Sequence, residues 1–271
     1  MAKAILYDAT KCTACRACQV ACKNWNEREA VDTINRGTYE NPLDLSTQTW
    51  LKMEFREIGD NGTFRWLFTR RACMHCTDAG CVKVCPTGAL YHHDEGFVAY
   101  DKAKCSGCGY CVEFCPYSVP RMDTNRASGL GRMDKCTFCA TPGLDRIDAG
   151  EEPACVKTCP TGALTFGDRA TLLAAAKAKV EDLKAQGHSN AQVYGENEVS
   201  GLHVLYLLDD SPETYGLVVN PKVPAAAAAH DIIKPLGYAV AGVVALGLLL
   251  NIMVARARII SREEEKEDAR G

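Results

Sequence analysis

The chain has 271 residues, 47% of them hydrophobic, so it is long enough for one or two compact domains with a buried core. Its formal net charge of −3 gives no overall attraction to nucleic acid. Its 16 cysteines could form disulfides or bind metal. Disulfide scaffolds are usually short secreted chains, and the first residues, MAKAILYDATKC, contain no cleavable signal peptide, so the composition favours metal-binding cysteines.

The first cysteine group has C-x2-C-x2-C-x3-C spacing, from Cys12 to Cys22. Three cysteines on such a loop bind one [4Fe–4S] cube, whereas the fourth points away and, in two-cluster ferredoxins, ligates the other cube. An insertion of roughly Asn24 to Arg71 follows. Its alternating stretches Thr49–Phe55 and Thr63–Thr69 predict two strands joined by a turn around Gly59–Gly62.

Three more cysteine groups follow, and two of them end in nearly the same sequence. Residues 81–90 and 155–164 agree at nine of ten positions, at an offset of 74, which indicates duplication of a cluster-binding unit. In each unit we expect a short helix that ends at Cys–Pro, because proline cannot continue it. A glycine turn then leads into a short strand, at Ala89–His92 and Ala163–Phe166. This is the βαβ pattern of a bacterial ferredoxin.

The segment after the last cysteine predicts a helix, a strand and a membrane span. Asp168 or Thr171 can cap a helix with apolar residues at helical spacing, and Gly187 can end it. The apolar run Leu202–Leu208 suits a buried strand. Residues 236–255 carry no charge and are long enough to cross a bilayer core of about 30 Å, so they predict a transmembrane helix.

The charges that flank this span predict its orientation, since lysine and arginine are retained on the cytoplasmic side. Five such residues follow the span and only two closely precede it: Arg256, Arg258, Arg262, Lys266 and Arg270, against Lys222 and Lys234. We therefore expect a cytoplasmic tail and an extracytoplasmic, periplasmic cluster domain. Because no export signal is visible, we expect the folded chain to cross the membrane attached to a partner with a twin-arginine signal.

Exchange of the fourth cysteine predicts four [4Fe–4S] sites and leaves no cysteine over. The adjacent second and third groups pair with each other, and the first and fourth groups pair around them. Site A is then Cys12, Cys15, Cys18 and Cys159; site B is Cys22, Cys136, Cys139 and Cys155; site C is Cys73, Cys76, Cys81 and Cys115; site D is Cys85, Cys105, Cys108 and Cys111.

These sites predict electron transfer rather than catalysis, because thiolate holds every corner of each cube and no iron is open to a substrate. The sequence also has no nucleophile motif, dinucleotide fingerprint or phosphate loop. Basic residues beside the cysteine groups, Arg70 and Lys135 among them, would stabilise the anionic clusters and raise their potentials, although ordinary surface positions explain at least half of these residues. For the six histidines an ordinary structural role is favoured over metal ligation.

A membrane-tethered structural zinc protein is the alternative of a different class. Zinc uses four thiolates in two separated knuckles and leaves the third cysteine of each tight loop unexplained. The predicted fold class is therefore α+β, with two intertwined bacterial-ferredoxin-like modules and one C-terminal transmembrane helix. The expected division is a cluster domain over 1–222 (inner module 73–115, outer module 1–72 with 116–167, packing or docking segment 168–222), a linker over 223–235, the span over 236–255 and a tail over 256–271.

The sequence resembles the iron–sulfur beta subunits of respiratory molybdenum or tungsten enzymes, and membrane-bound formate dehydrogenase in particular. The resemblance covers nearly the whole chain and rests on CTACRACQVACKNWNE (12–27), YENPLDLS (39–46), CMHCTDAGCVKVCP (73–86), CSGCGYCVEFCPYSVPR (105–121), EPACVKTCPTGALTFG (152–167) and GLHVLYLLDD (201–210). One departure is Lys23 after Cys22, where the other three groups have proline.

This resemblance implies that all sixteen cysteines ligate clusters in the same crossed pairing. It also implies that electrons leave formate at a pterin-bound molybdenum or tungsten in an alpha subunit, pass through this chain, and reach a membrane cytochrome b (gamma) subunit and quinone. The cysteine pattern is shared with partners of hydrogenases and of nitrate, sulfoxide and polysulfide reductases. The same electron-carrying role in one of those enzymes is therefore the alternative.

Overall fold

The computed structural model describes residues 1–60, 63–123 and 131–268 and contains two compact units, Met1–Pro224 and Ala225–Gly271. The strands are β1 (Lys3–Asp8), β2 (Lys52–Asp60), β3 (Thr63–Arg71), β4 (Leu90–His92), β5 (Val98–Tyr100), β6 (Arg121–Met122), β7 (Met133–Asp134), β8 (Ala140–Thr141), β9 (Leu144–Asp145), β10 (Leu164–Asp168), β11 (Gln192–Tyr194) and β12 (Val204–Leu208). The α-helices are α1 (Ala17–Trp25), α2 (Gly80–Lys83), α3 (Tyr110–Glu113), α4 (Ala154–Lys157), α5 (Arg169–Ala185) and α6 (Ala225–Asp268).

A four-stranded sheet in the order β10-β1-β12-β11 forms the centre of the first unit. Strand β1 is antiparallel to β10 and parallel to β12. Every residue of β12 is buried because apolar residues cover both faces of the sheet. Leu205 and Leu207 pack toward α5, whereas Val204, Tyr206 and Leu208 belong to the main core. The buried strand predicted within residues 202–208 is therefore present.

Helix α5 confirms the helix predicted after the last cysteine. The side chain of Asp168 accepts a hydrogen bond from the Thr171 N–H at 3.1 Å, which caps the amino end. Ala176, Val180 and Leu183 are buried against the sheet, as the helical spacing indicates. Helix α5 is thereby fixed to the central sheet.

Strands β2 and β3 form the predicted hairpin, with Lys52 opposite Arg71 and Asp60 opposite Thr63. Both strands end later than predicted, and β2 begins at Lys52 rather than at Thr49. Of the turn expected around residues 59–62, Gly59 lies within β2, and residues 61–62 lie outside the described residues.

The duplicated sequence forms the same local structure twice. Helices α2 and α4 each have four residues and end just before a Cys–Pro pair. Gly88 and Gly162 then take left-handed conformations, with φ of 65° and 63°, which glycine adopts at little cost. The strands that follow are β4, which pairs with β5, and β10, which pairs with β1. The two predicted short strands are therefore present.

The second unit contains α6, one candidate membrane span by length and composition. Residues Leu236–Ala257 form a mainly apolar run of 22 residues within it, with a mean hydropathy of 2.2, and none of the span is buried inside the protein. The helix begins at Ala225, so the segment expected to be a linker over 223–235 is helical from Ala225 onward. The alanine run 225–229 accounts for this difference, because alanine has the highest helix propensity.

Candidate iron–sulfur sites

All sixteen cysteines are free thiols, and thiols that are predicted to share a site lie near one another. The thiols of site A line one small cavity together with Tyr7, Met53 and Pro160. Those of site D line another with Leu90, Tyr100 and Met133. In site B, Cys22 interacts with Cys136, Cys139 and Cys155. In site C, Cys76 interacts with Cys73, Cys81 and Cys115.

The tight loops of sites A and D have the same backbone geometry, which turns the thiols inward. In site A, Ala14 and Arg16 have φ of 52° and 63°. Gly107 and Gly109 occupy the equivalent positions of site D, with φ of 76° and 80°. The Ala14 N–H donates to the Cys12 sulfur at 3.4 Å, an arrangement that stabilises a thiolate.

Burial, with a smaller contribution from neighbouring thiols, raises most of the cysteine pKa values. Burial, opposed by Arg70 and reinforced by nearby thiolates, raises the pKa of Cys18 to about 12. Burial and the neighbouring thiolates of site D raise the pKa of Cys111 to about 12 as well. Four such groups become thiolates together only if positive charge is placed between them, which the iron of an iron–sulfur core supplies.

Two thiols, Cys105 of site D and Cys159 of site A, have lowered pKa values instead. Burial raises the pKa of Cys105, but hydrogen bonds from the Met133 and Gly107 N–H groups outweigh it and lower that pKa. In the same way, hydrogen bonds from Leu164, Thr161 and Ala163 outweigh burial and lower the pKa of Cys159. The lower pKa of each thiol favours the thiolate, which is the form that ligates a cation.

The donor chemistry of the sets fits an iron–sulfur core, because [4Fe–4S] clusters are held by four cysteine thiolates. The buried Tyr100 hydroxyl has no hydrogen-bond partner among the described residues and lines the site D cavity. A core that carries its own sulfide acceptors would satisfy it.

Electrostatic interactions between thiols link neighbouring sets in the order A, B, C and D, and we refer to this sequence of sets as the row. Cys18 of site A interacts with Cys155 of site B, Cys73 of site C with Cys136 of site B, and Cys81 of site C with Cys111 of site D. All four cysteines of site B are buried, whereas site A has the exposed Cys15 and site D the exposed Cys108. The row therefore reaches the surface at sites A and D.

Comparison with known proteins gives the family. Two family models, each described as a 4Fe–4S dicluster domain, match residues 64–169 and 11–89. The formate dehydrogenase iron–sulfur subunit of Haemophilus influenzae is 39% identical over 269 residues, which cover 97% of this chain and 83% of the relative. The nitrate-inducible formate dehydrogenase iron–sulfur subunit of Escherichia coli K12 is 43% identical over 86% of this chain and 79% of its own length. The chain belongs to the family of formate dehydrogenase iron–sulfur subunits.

Membership in this family confirms the resemblance predicted from the sequence. Iron–sulfur clusters of the 4Fe–4S type in two ferredoxin-type dicluster domains, with one candidate apolar helix at the carboxyl end, are the established part of the predicted fold. A more distant relative, the hydrogenase-2 operon protein HybA of Escherichia coli O157:H7, is 38% identical over 65% of this chain and 55% of its own length.

The basic residues near the cysteines fall into two classes in the structure. Several pair with carboxylates, as Lys83 does with Asp78 and Lys102 with Asp134. Arg70 and Lys135 are instead fully buried. The Lys135 ammonium donates to the carbonyls of Val98 and Cys136 at 2.9 Å each, and it interacts with three thiols of site C: Cys73, Cys81 and Cys115.

Sequence reasoning missed the tyrosines beside the terminal sites. Tyr7 adjoins Cys12, and Tyr100 adjoins Cys105. The signal was a second repeat, YDATKC over 7–12 and YDKAKC over 100–105. In both copies the aspartate, Asp8 or Asp101, caps a short 3-10 turn that leads into the first cysteine.

Proposed function

We propose that this chain is the electron-transfer subunit of a membrane-bound formate dehydrogenase and has no catalytic site of its own. The observation that carries the proposal is the row of four thiol sets that reaches the surface at both ends. Each set would hold one [4Fe–4S] cluster with the ligands given for sites A to D, four clusters in all. When bound, the clusters supply one-electron carriers.

The chain's own residues would bind, insulate and tune these carriers. The thiolates fix their positions, and the apolar residues around sites B and C exclude water. Backbone N–H groups at the tight loops, such as the Ala14 N–H that donates to the Cys12 sulfur, would favour the reduced, more negative state. With every corner ligated by thiolate, no position is left for a substrate.

The two surface ends of the row are where partners would dock. A catalytic alpha subunit with a molybdenum- or tungsten-pterin centre would exchange electrons at one end. A membrane cytochrome b (gamma) subunit would do so at the other and pass them to quinone. Family membership supports both assignments, since the relatives are named as iron–sulfur subunits of formate dehydrogenases. HybA supports the alternative in which the same role serves a hydrogenase.

The proposed location is a membrane with α6 as its single span. The cluster domain, residues 1–222 with intertwined inner and outer modules, would be periplasmic, and the tail after residue 255 would be cytoplasmic. The lysine and arginine excess after the span supports this orientation. Protease treatment of intact spheroplasts should therefore digest the cluster domain, and its protection would contradict the orientation.

Anaerobic purification in mild detergent tests the function. We expect a large pterin-containing subunit to co-purify, iron and sulfide in equal amounts, and bleaching of the cluster absorbance when formate is added. Co-purification of a hydrogenase or a sulfur-compound reductase would instead make this chain the electron-transfer subunit of that enzyme. Zinc in place of iron would refute electron transfer altogether.

A further inference from the structure

Arg70 is the largest fully buried side chain of the described residues, with 0% of its surface exposed. It lies near the end of β3, and its backbone carbonyl accepts a hydrogen bond from the Tyr206 hydroxyl at 2.6 Å. The Nε and Nη1 atoms of its guanidinium have no hydrogen-bond partner among the described residues. Its Nη2 lies 4.0 Å from the sulfur of Cys155.

A buried guanidinium without a counter-charge is strongly unfavourable, because its pKa is too high for the group to escape by losing a proton. Arg71, the next residue, has its charge balanced by carboxylates, which is the usual arrangement. Its side chain points to the other face of the strand and pairs with Glu54 at 3.2 Å and Asp44 at 3.4 Å. Arg70 has thiol sulfurs in place of carboxylates, so the negative charge that stabilises it has to come from the cysteine sites.

The thiols around Arg70 belong to two different sites. Cys155, Cys136 and Cys22 are members of site B, and Cys18 is a member of site A. Arg70 also lies opposite Met53 in the hairpin, and the Met53 sulfur is 3.8 Å from the Cys18 sulfur. Arg70 therefore lies beside both sites. A fixed positive charge there lowers the free energy of an added electron on either side, and it also reduces the repulsion between two neighbouring anions.

We propose that Arg70 is the shared counter-ion of the clusters at sites A and B and raises the reduction potentials of both. The inference rests on the proposed function, since it requires clusters at those sites. Electron transfer between the two clusters leaves one oxidised and the other reduced by one electron. No proton moves and no bond changes, so the effect of Arg70 is purely electrostatic.

Substitution of Arg70 in the intact complex tests this role. Arg70→Gln removes the charge, Arg70→Lys retains it, and Arg71→Gln removes an equal charge from the other face of the strand. The readout is a redox titration of each cluster followed by electron paramagnetic resonance. We expect Arg70→Gln to make two of the four midpoint potentials more negative and leave the other two unchanged. Arg70→Lys should restore most of the shift, and Arg71→Gln should match the unsubstituted protein.

Four unchanged potentials in Arg70→Gln, or an equal shift of all four, would overturn the proposal. If Arg70→Gln does not assemble the two clusters, the iron content of Arg70→Lys decides. Full iron with the charge retained supports the counter-ion role, whereas loss of iron from both variants shows that the shape of the guanidinium, not its charge, is required. An unsubstituted protein without iron–sulfur signals would refute the proposed function instead, so the two failures are distinguishable.

Discussion

Cys22 is the residue on which the proposed cluster pairing depends most directly. It lies on α1, is buried, and interacts with Cys136, Cys139 and Cys155, more than a hundred positions later in the chain. The Asn26 amide also lies 3.8 Å from its sulfur. The first cysteine group of the sequence therefore contributes thiols to two separate sites.

Replacement of Cys22 should damage the cluster at site B, because that set would lose one of its four thiolates. We expect Cys22→Ala and Cys136→Ala to abolish or alter the same signal in electron paramagnetic resonance spectra of the reduced protein. Cys12→Ala is the matched control, and it should affect a different signal. The crossed pairing is wrong if Cys22→Ala and Cys12→Ala remove one signal in common.

The spacing of the cysteines is the basis of the predicted sites, because a tight loop can present only three thiols to one cube. The burial of Arg70 has no such local pattern. Arg70 and Arg71 are identical neighbours in the sequence, and only the register of the β2–β3 hairpin decides which of them faces the core. The sequence therefore does not indicate which of the two arginines lies beside the thiols.

At the scale of elements, the predictions that succeeded were those with a strong local pattern. Helix α5, strand β12 and the hairpin each have apolar residues at a clear period. Strands β6 to β9 have only two residues each and were not predicted. A strand of two residues is too short to show a hydrophobic period. Its position is set by the loops around the cysteine sites.

Gly96 shows how one of these loops is fixed to the central sheet. It lies in the turn between β4 and β5 with φ of 93°, and a Cβ there would come within 2.4 Å of the His203 ring. The His203 Nδ1 lies 2.6 Å from the Lys3 carbonyl oxygen beside β1, so the ring cannot easily move. The absence of a side chain at Gly96 therefore allows the turn to pack closely on the sheet.

Gly96→Ala should destabilise the protein much more than Gly187→Ala. Gly187 has a similar φ of 99° but open space around its Cβ position. Gly187→Ala therefore measures only the cost of placing alanine at a positive φ. The additional clash at Gly96 should cost about 1–3 kcal/mol, and the thermal midpoint for loss of cluster absorbance should fall by several degrees more. Adding His203→Ala should recover part of the difference between the two variants. Equal midpoints for the two glycine variants would show that the contact with His203 is unimportant.

At the scale of the whole molecule, the cysteines and the candidate membrane span are in separate units. All sixteen cysteines lie in Met1–Pro224, and the apolar run Leu236–Ala257 lies in the other unit. The order of the sites along the row could not be predicted from sequence, because it depends on how the two repeats pack together. The span could be predicted, since twenty uncharged residues in succession are a purely local property.

Removal of α6 should separate membrane attachment from cluster binding. A chain that ends at Pro224, expressed without partner subunits, should be recovered in the soluble fraction with the same iron per protein as the full chain. The full chain should require detergent, because its exposed apolar run is long enough to enter a bilayer. Leu246→Arg in the full chain is the matched control, because it keeps the length of the chain and changes only the polarity of the span. A charge near the centre of the span costs about 2.5–3.5 kcal/mol on insertion, so it should weaken membrane recovery without loss of iron. A truncated chain that remained in the membrane would show that its cluster domain, rather than α6, provides the attachment.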